Sequence, residues 1–239
     1  MEIAETLIHL CSLLLAIALA VVFHEVAHGY TALRLGDQTA KLMGRLTLNP
    51  IAHIHWFGTI VLPTLLYLAS ITALGKPFVF AFAKPVPVDF RNLKNPKRDM
   101  IWVAAAGPAT NIVLAVISAM FIRILGYADA EAYAVFSVQM GSNTLDLTGS
   151  MMTTVFYTLF ISVIVNVLLA VINMIPIPPA DGGRIVTGLL PDEEAKQFAQ
   201  IEMYGLGILI FILYFNPLNI INWTILPLIN VILYLLLEV

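Results

Sequence analysis

His24-Glu25-Val26-Ala27-His28 closes an apolar run that begins at Leu7. A helix brings residues i and i+4 onto one face. The stretch therefore sets two imidazoles side by side, with a carboxylate next to the first. Two neutral imidazoles suit zinc, and a nearby glutamate can take a proton from a water activated there. His-Glu-x-x-His is a zinc-hydrolase signature, but a pattern of this length also arises by chance. The alternative is two buried histidines and a buried glutamate satisfied by their neighbours. The setting weighs against it, because ionisable groups in a membrane-length apolar segment are costly and mark function by default.

The 239 residues are 60% hydrophobic and 11% charged, with mean hydropathy +0.91. Soluble domains are about 45–50% apolar and about 25% charged. Only helices and closed barrels satisfy their backbone groups in lipid, and the apolar runs here have helical length. The expected fold is an all-α polytopic membrane protein with about five to six transmembrane helices. The net charge of −3 gives no case for a nucleic-acid partner. Cys11 is the single cysteine, so there is no internal disulfide and no cysteine cluster for a metal. Any metal must be held by His, Asp or Glu, and the histidines are His9, His24, His28, His53 and His55.

Ala18-Leu19-Ala20 resembles a signal-peptide cleavage site, but the leading segment carries Glu2 and Glu5 and no basic residue. Cleavage there would cut the helix just before His24. We therefore expect a retained first span from Leu7 to Phe23, its helix running on to Leu35 and capped by Gly36. About 17 residues, roughly 26 Å, separate Leu7 from His24, and about six, roughly 9 Å, separate His28 from Arg34. The His pair is thus expected inside the membrane boundary, nearer the Arg34 end. Arg34, Lys41 and Arg45 place that end in the cytoplasm and the acidic N-terminus outside.

Further spans are expected at Met100–Leu125, Met151–Ile175, a segment ending near Phe215, and Ile220–Leu237. Residues 57–74 are broken by Pro63 and followed by a basic stretch, so they are expected to dip into the membrane rather than cross it. Ala40–Leu48, Phe78–Phe82 and Val86–Phe90 are expected as short membrane-associated β segments near the active site. Residues 126–150 hold Asp129, Glu131 and Asp146 and read as an external loop. No internal repeat appears, and the whole of 1–239 reads as a single membrane-embedded domain.

Asp181 is the carboxylate expected to join His24 and His28. It lies in Pro178-Pro179-Ala180-Asp181-Gly182-Gly183, after the Met151–Ile175 span and at the same depth. Prolines stiffen such a loop, although Asp-Gly also occurs in plain surface turns. Two His and one carboxylate leave a fourth zinc position for water. Asn111 and Asn173 are intramembrane amides that could orient substrate or donate to an oxyanion; the other reading is an interhelical hydrogen bond. Asn166 shares a face with Asn173 and reads as structural. His53, near the Asn49-Pro50 turn, is a candidate substrate or oxyanion group, an extra metal ligand or an interface residue, His55 a weaker one, and His9 reads as structural.

His24-Glu25-Val26-Ala27-His28, Gly107-Pro108-x-x-Asn111 and Asn173-x-x-Pro176-x-Pro178-x-x-Asp181-Gly182-Gly183 together resemble the site-2 protease family of intramembrane zinc metalloproteases. The match in order and spacing extends over about 160 residues of the chain and resembles the compact branch without a PDZ-like insert. The resemblance implies His24, His28 and Asp181 as ligands of one zinc per chain, and Glu25 as general base. It implies peptide-bond hydrolysis in or near transmembrane segments of other membrane proteins. Single-span membrane proteins, membrane-tethered regulators among them, are the expected substrates. It also implies residence in a prokaryotic cell membrane with the active site toward the cytoplasmic side. A metal transporter would use the same three ligands, but transporters tend to carry repeats and have no need of a glutamate beside the first histidine.

Overall fold

The computed structural model describes residues 2–75, 77–128 and 151–237. Its helices are α1 (Glu2–Leu35), α2 (Thr39–Leu42), α3 (Leu62–Leu74), α4 (Pro96–Ala128), α5 (Met151–Asn173), α6 (Asp181–Leu189), α7 (Asp192–Ala199), α8 (Glu202–Phe215) and α9 (Leu226–Leu237). The expected external loop lies, from residue 129 on, outside the described residues.

α1, α4 and α5 are each long and apolar enough to cross a membrane, as is the segment Pro217–Leu237 that ends in α9. α7 and α8 meet at a 63° bend and together make up to a fifth span. The chain is thus an integral membrane protein built on helices. The lipid solvent explains its surface: Leu14 is 56% exposed and Leu235 is 68% exposed, which is tolerable in hydrocarbon and costly in water. Residues 56–72 form a shorter apolar helix, opening with a π-helical turn at Trp56–Val61.

No β strand occurs among the described residues, which corrects the expectation for all three segments. Thr39–Leu42 is one turn of helix because the Asp37 carboxylate accepts from the Thr39 N–H and hydroxyl and starts the turn. Residues 77–89 form neither helix nor strand, and the bonds made by the alternate amides of Phe82, Lys84 and Val86 mark the run 82–86 as extended. Pro85 and Pro87 lack the N–H groups that a ladder needs.

The interior lies between α4, α5 and α9. Ala115, Ala119 and Ile122 pack there against Phe156, Val163, Val167 and Ile229. Small residues on α4 let the helix axes approach, as is usual inside membranes. A second cluster of Ala32, Leu93 and Val103 ties the end of α1 to α4. α4 opens on Asn95-Pro96, with the Asp99 carboxylate accepting from the Asn95 N–H at 2.8 Å. α1 ends at Gly36, whose φ of +119° suits glycine. Asp37 then turns back beneath the extended segment, where its other oxygen accepts from the Asp89 N–H.

Candidate metal centre and active site

α1 carries His24 and His28 one turn apart and both are buried. The Nε2 atoms lie 3.0 Å from each other. Asp181, the first residue of α6, brings Oδ2 to 3.1 Å from His24 Nε2 and 3.3 Å from His28 Nε2. Three donor atoms from two distant elements thus converge on one point.

The tautomers follow from the partners. His24 Nδ1 lies 2.6 Å from Asn111 Oδ1, and His28 Nδ1 lies 2.7 Å from the Val103 carbonyl. A carbonyl can only accept, and the Asn111 amide nitrogen is already donating to the Ala20 carbonyl and to Asn166 Oδ1. Asn166 in turn donates to the Ser162 carbonyl. Both Nδ1 atoms therefore carry hydrogen, and both Nε2 lone pairs face Asp181. Such outer partners fix ring orientation at metal sites.

The residues fit zinc. Asp181 Oδ2 is buried with no hydrogen-bond donor, although buried carboxylate oxygens are almost always satisfied. Two imidazole lone pairs and that oxygen form the two-His, one-carboxylate donor set that zinc accepts. The space is also shaped: a Cβ on Gly107 would fall 2.5 Å from His28 Nε2 and 2.6 Å from His24 Nε2. Gly182 and Gly183 likewise leave no room for a Cβ beside Met174 and Pro178, which lets the start of α6 press against its own loop. Gly205 of α8 packs on Pro178 in the same way.

Glu25 lies beside the convergence point, and its Oε2 accepts from the Val86 N–H at 2.7 Å. A cavity of about 370 Å³ opens over His24, Glu25, His28 and Asp181. Residues from 80 to 90 form one wall, and Leu169, Asn173 and Arg184 contribute to the rest.

Asn173 lines this cavity, with its amide nitrogen donating to the Leu169 carbonyl at 2.9 Å. Asn111 is fully buried behind His24 and is not among the cavity-lining residues. His53 is buried away from the cavity, its Nε2 donating to the Thr47 carbonyl at 2.9 Å. His55 accepts from the Gly58 N–H and caps the π-helical turn. Sequence reasoning did not single out the Val86 amide, which meets Glu25, or Arg184, which lines the cavity. The Pro85-Val86-Pro87 pattern was the available signal, since it leaves a single N–H across three residues.

The fold and this site define a class: a membrane-embedded protein with a buried two-His, one-carboxylate centre beside a glutamate. The sequence model of Peptidase family M50 matches residues 12–215, and the chain belongs to that family of zinc-dependent membrane proteases, the site-2 proteases. Among its relatives, "Putative zinc metalloprotease YwhC" of Bacillus subtilis (strain 168) is 33% identical over 218 residues, covering 91% of this chain and 85% of YwhC. "Putative zinc metalloprotease Rip2" of Mycolicibacterium smegmatis (strain ATCC 700084 / mc(2)155) is 28% identical over 199 residues, covering 82% of this chain and 64% of Rip2. No solved structure matches the chain significantly.

Proposed function

We propose that the chain is a single membrane-embedded domain that hydrolyses peptide bonds in or near transmembrane segments of other membrane proteins, with His24, His28 and Asp181 holding zinc and Glu25 as general base. The observation that carries this reading is the meeting of three donor atoms within 3.3 Å of one another beside a carboxylate at the edge of a cavity. Zinc bound there supplies Lewis acidity toward a peptide carbonyl and its attacking water. Glu25 takes the proton of that water and returns it to the leaving amine. Asn173 is the amide placed to meet substrate, whereas Asn111 holds the His24 ring.

A substrate helix has its carbonyls bonded to its own amides, so it must unwind before attack. Residues 77–89 offer the unwound strand an edge. Phe82 N–H donates to the Gly58 carbonyl, Lys84 N–H to the His53 carbonyl and Val86 N–H to Glu25. Alternate residues of an extended chain face opposite edges. Ala81 and Ala83 therefore turn their main-chain groups to the other edge, and a substrate strand pairs there. The pairing stops at Pro85, next to Glu25. Single-span, membrane-tethered proteins are the substrates this arrangement suits. The N-terminus lies outside and the active site faces the cytoplasm.

The test uses purified protein with bound zinc quantified, together with Glu25→Gln, on a panel of single-span substrates. Zinc near one per chain, with cleavage lost in Glu25→Gln while zinc stays, supports the reading. Folded protein without zinc overturns it, as does cleavage that persists in Glu25→Gln.

A further inference from the structure

We infer that the backbone N–H of Val86, clamped by Arg45, positions the Glu25 carboxylate; the inference rests on Glu25 acting as the base. The contact is a hydrogen bond of 2.7 Å from Val86 N to Glu25 Oε2, joining residues 61 positions apart. It is the only hydrogen bond that the Glu25 side chain makes among the described residues, which leaves Oε1 to meet water. A glutamate on a helix otherwise turns through several rotamers. Fixing one oxygen aims the other.

The donor is held from three sides. Arg45 Nη2 donates to the Lys84 carbonyl at 3.0 Å and to the Pro85 carbonyl at 3.4 Å. Lys84 N–H donates to the His53 carbonyl at 2.8 Å. Val86 itself is 6% exposed, and its Cγ1 would meet a Cβ on Gly29 at 2.7 Å. Proline on either side keeps the backbone extended and leaves Val86 as the one donor across 85–87. Arg45 stays in this place although its Nε is buried without a partner.

Arg45 and Val86 are thus positioning residues for the hydrolysis, acting through Glu25. They set the orientation of the carboxylate without touching substrate at the scissile bond. His53, whose ring does not line the cavity, enters the clamp through its carbonyl.

The experiment has two arms on zinc-loaded, purified full-length protein. The first measures amide hydrogen exchange in the stretch 84–87, where Lys84 and Val86 carry the only N–H groups. Glu25→Ala removes the acceptor and is expected to speed exchange of one amide by at least about tenfold. Glu25→Gln keeps an acceptor oxygen and is expected to leave it slow. Unchanged exchange in Glu25→Ala overturns the inference.

The second arm follows turnover of a single-span peptide labelled with a fluorophore and quencher in detergent micelles. Val86→Pro deletes the donor while keeping an extended backbone, and Val86→Ala trims the side chain while keeping the donor. The proline variant is expected to fall at least about tenfold below the alanine variant in kcat, with KM within about twofold. Arg45→Ala is expected to lower kcat and Arg45→Lys to restore part of it. Equal turnover of the two Val86 variants, or a loss confined to KM, overturns the positioning role. Full turnover in Glu25→Gln would instead overturn the base assignment, which keeps the two failures distinguishable.

Discussion

His24 Nδ1 and Asn111 Oδ1 lie 2.6 Å apart, across 87 residues of sequence and between two membrane-crossing helices. Asn166 on a third helix fixes which way the Asn111 amide points. The chain of bonds leaves the His24 Nε2 lone pair free for a metal.

That relationship makes Asn111 a determinant of zinc affinity. Asn111→Ala is expected to weaken zinc binding about 10–100-fold while the protein still folds. Zinc retention against a graded series of chelators measures it, with Asn173→Ala as the comparison. Asn173→Ala should keep its zinc and lose cleavage.

Gly107 offers a steric test of the same centre. Its missing Cβ leaves the space that both imidazoles occupy, so Gly107→Ala should displace the rings and empty the site. Zinc per chain should drop well below one. The helix itself should persist by circular dichroism, because alanine favours a helix over glycine by about 1 kcal/mol.

The free edge of residues 77–89 predicts a main-chain effect. Ala81→Pro combined with Ala83→Pro removes two N–H groups from the edge proposed for substrate. KM should rise at least about tenfold, the equivalent of about 1.4 kcal/mol of lost binding, while zinc content stays unchanged. Steady-state cleavage of the labelled single-span peptide distinguishes this from the Val86→Pro effect on kcat.

Asp37 predicts an acid limit to stability. Burial alone would raise its pKa, but hydrogen bonds from the Thr39 side chain, Asn92, and the Thr39 and Asp89 amides outweigh that and hold the carboxyl below its ordinary range. A depressed folded pKa means the contribution is complete above the unfolded value, about 3.9. It is lost as pH falls through the lower, folded value. Thermal melting in detergent should therefore decline below about pH 4. Asp37→Asn should lower the melting temperature at neutral pH and flatten that acid decline.

The sequence by itself determined the solvent, the long spans and the pairing of the two imidazoles. Composition required lipid-facing helices, and the i, i+4 spacing of His24 and His28 on a helix required neighbouring imidazoles whatever the rest of the chain did. These are local facts, carried by covalent order and helical periodicity. The Pro178–Gly183 loop pointed to Asp181 for a related reason: its prolines and glycines restrict where the chain can go. What only the tertiary structure decided were the partnerships between elements. Asn111 turned behind His24 because α4 and α5 pack face to face, and no pattern along the chain encodes which side of a buried amide meets which helix. The expected β segments became an unpaired extended strap because strand formation depends on a partner edge, and the strap's inward groups went instead to Gly58, His53 and Glu25. Val86 came to face Glu25 for the same reason. A backbone N–H is present at nearly every residue, so only three-dimensional packing can single one out.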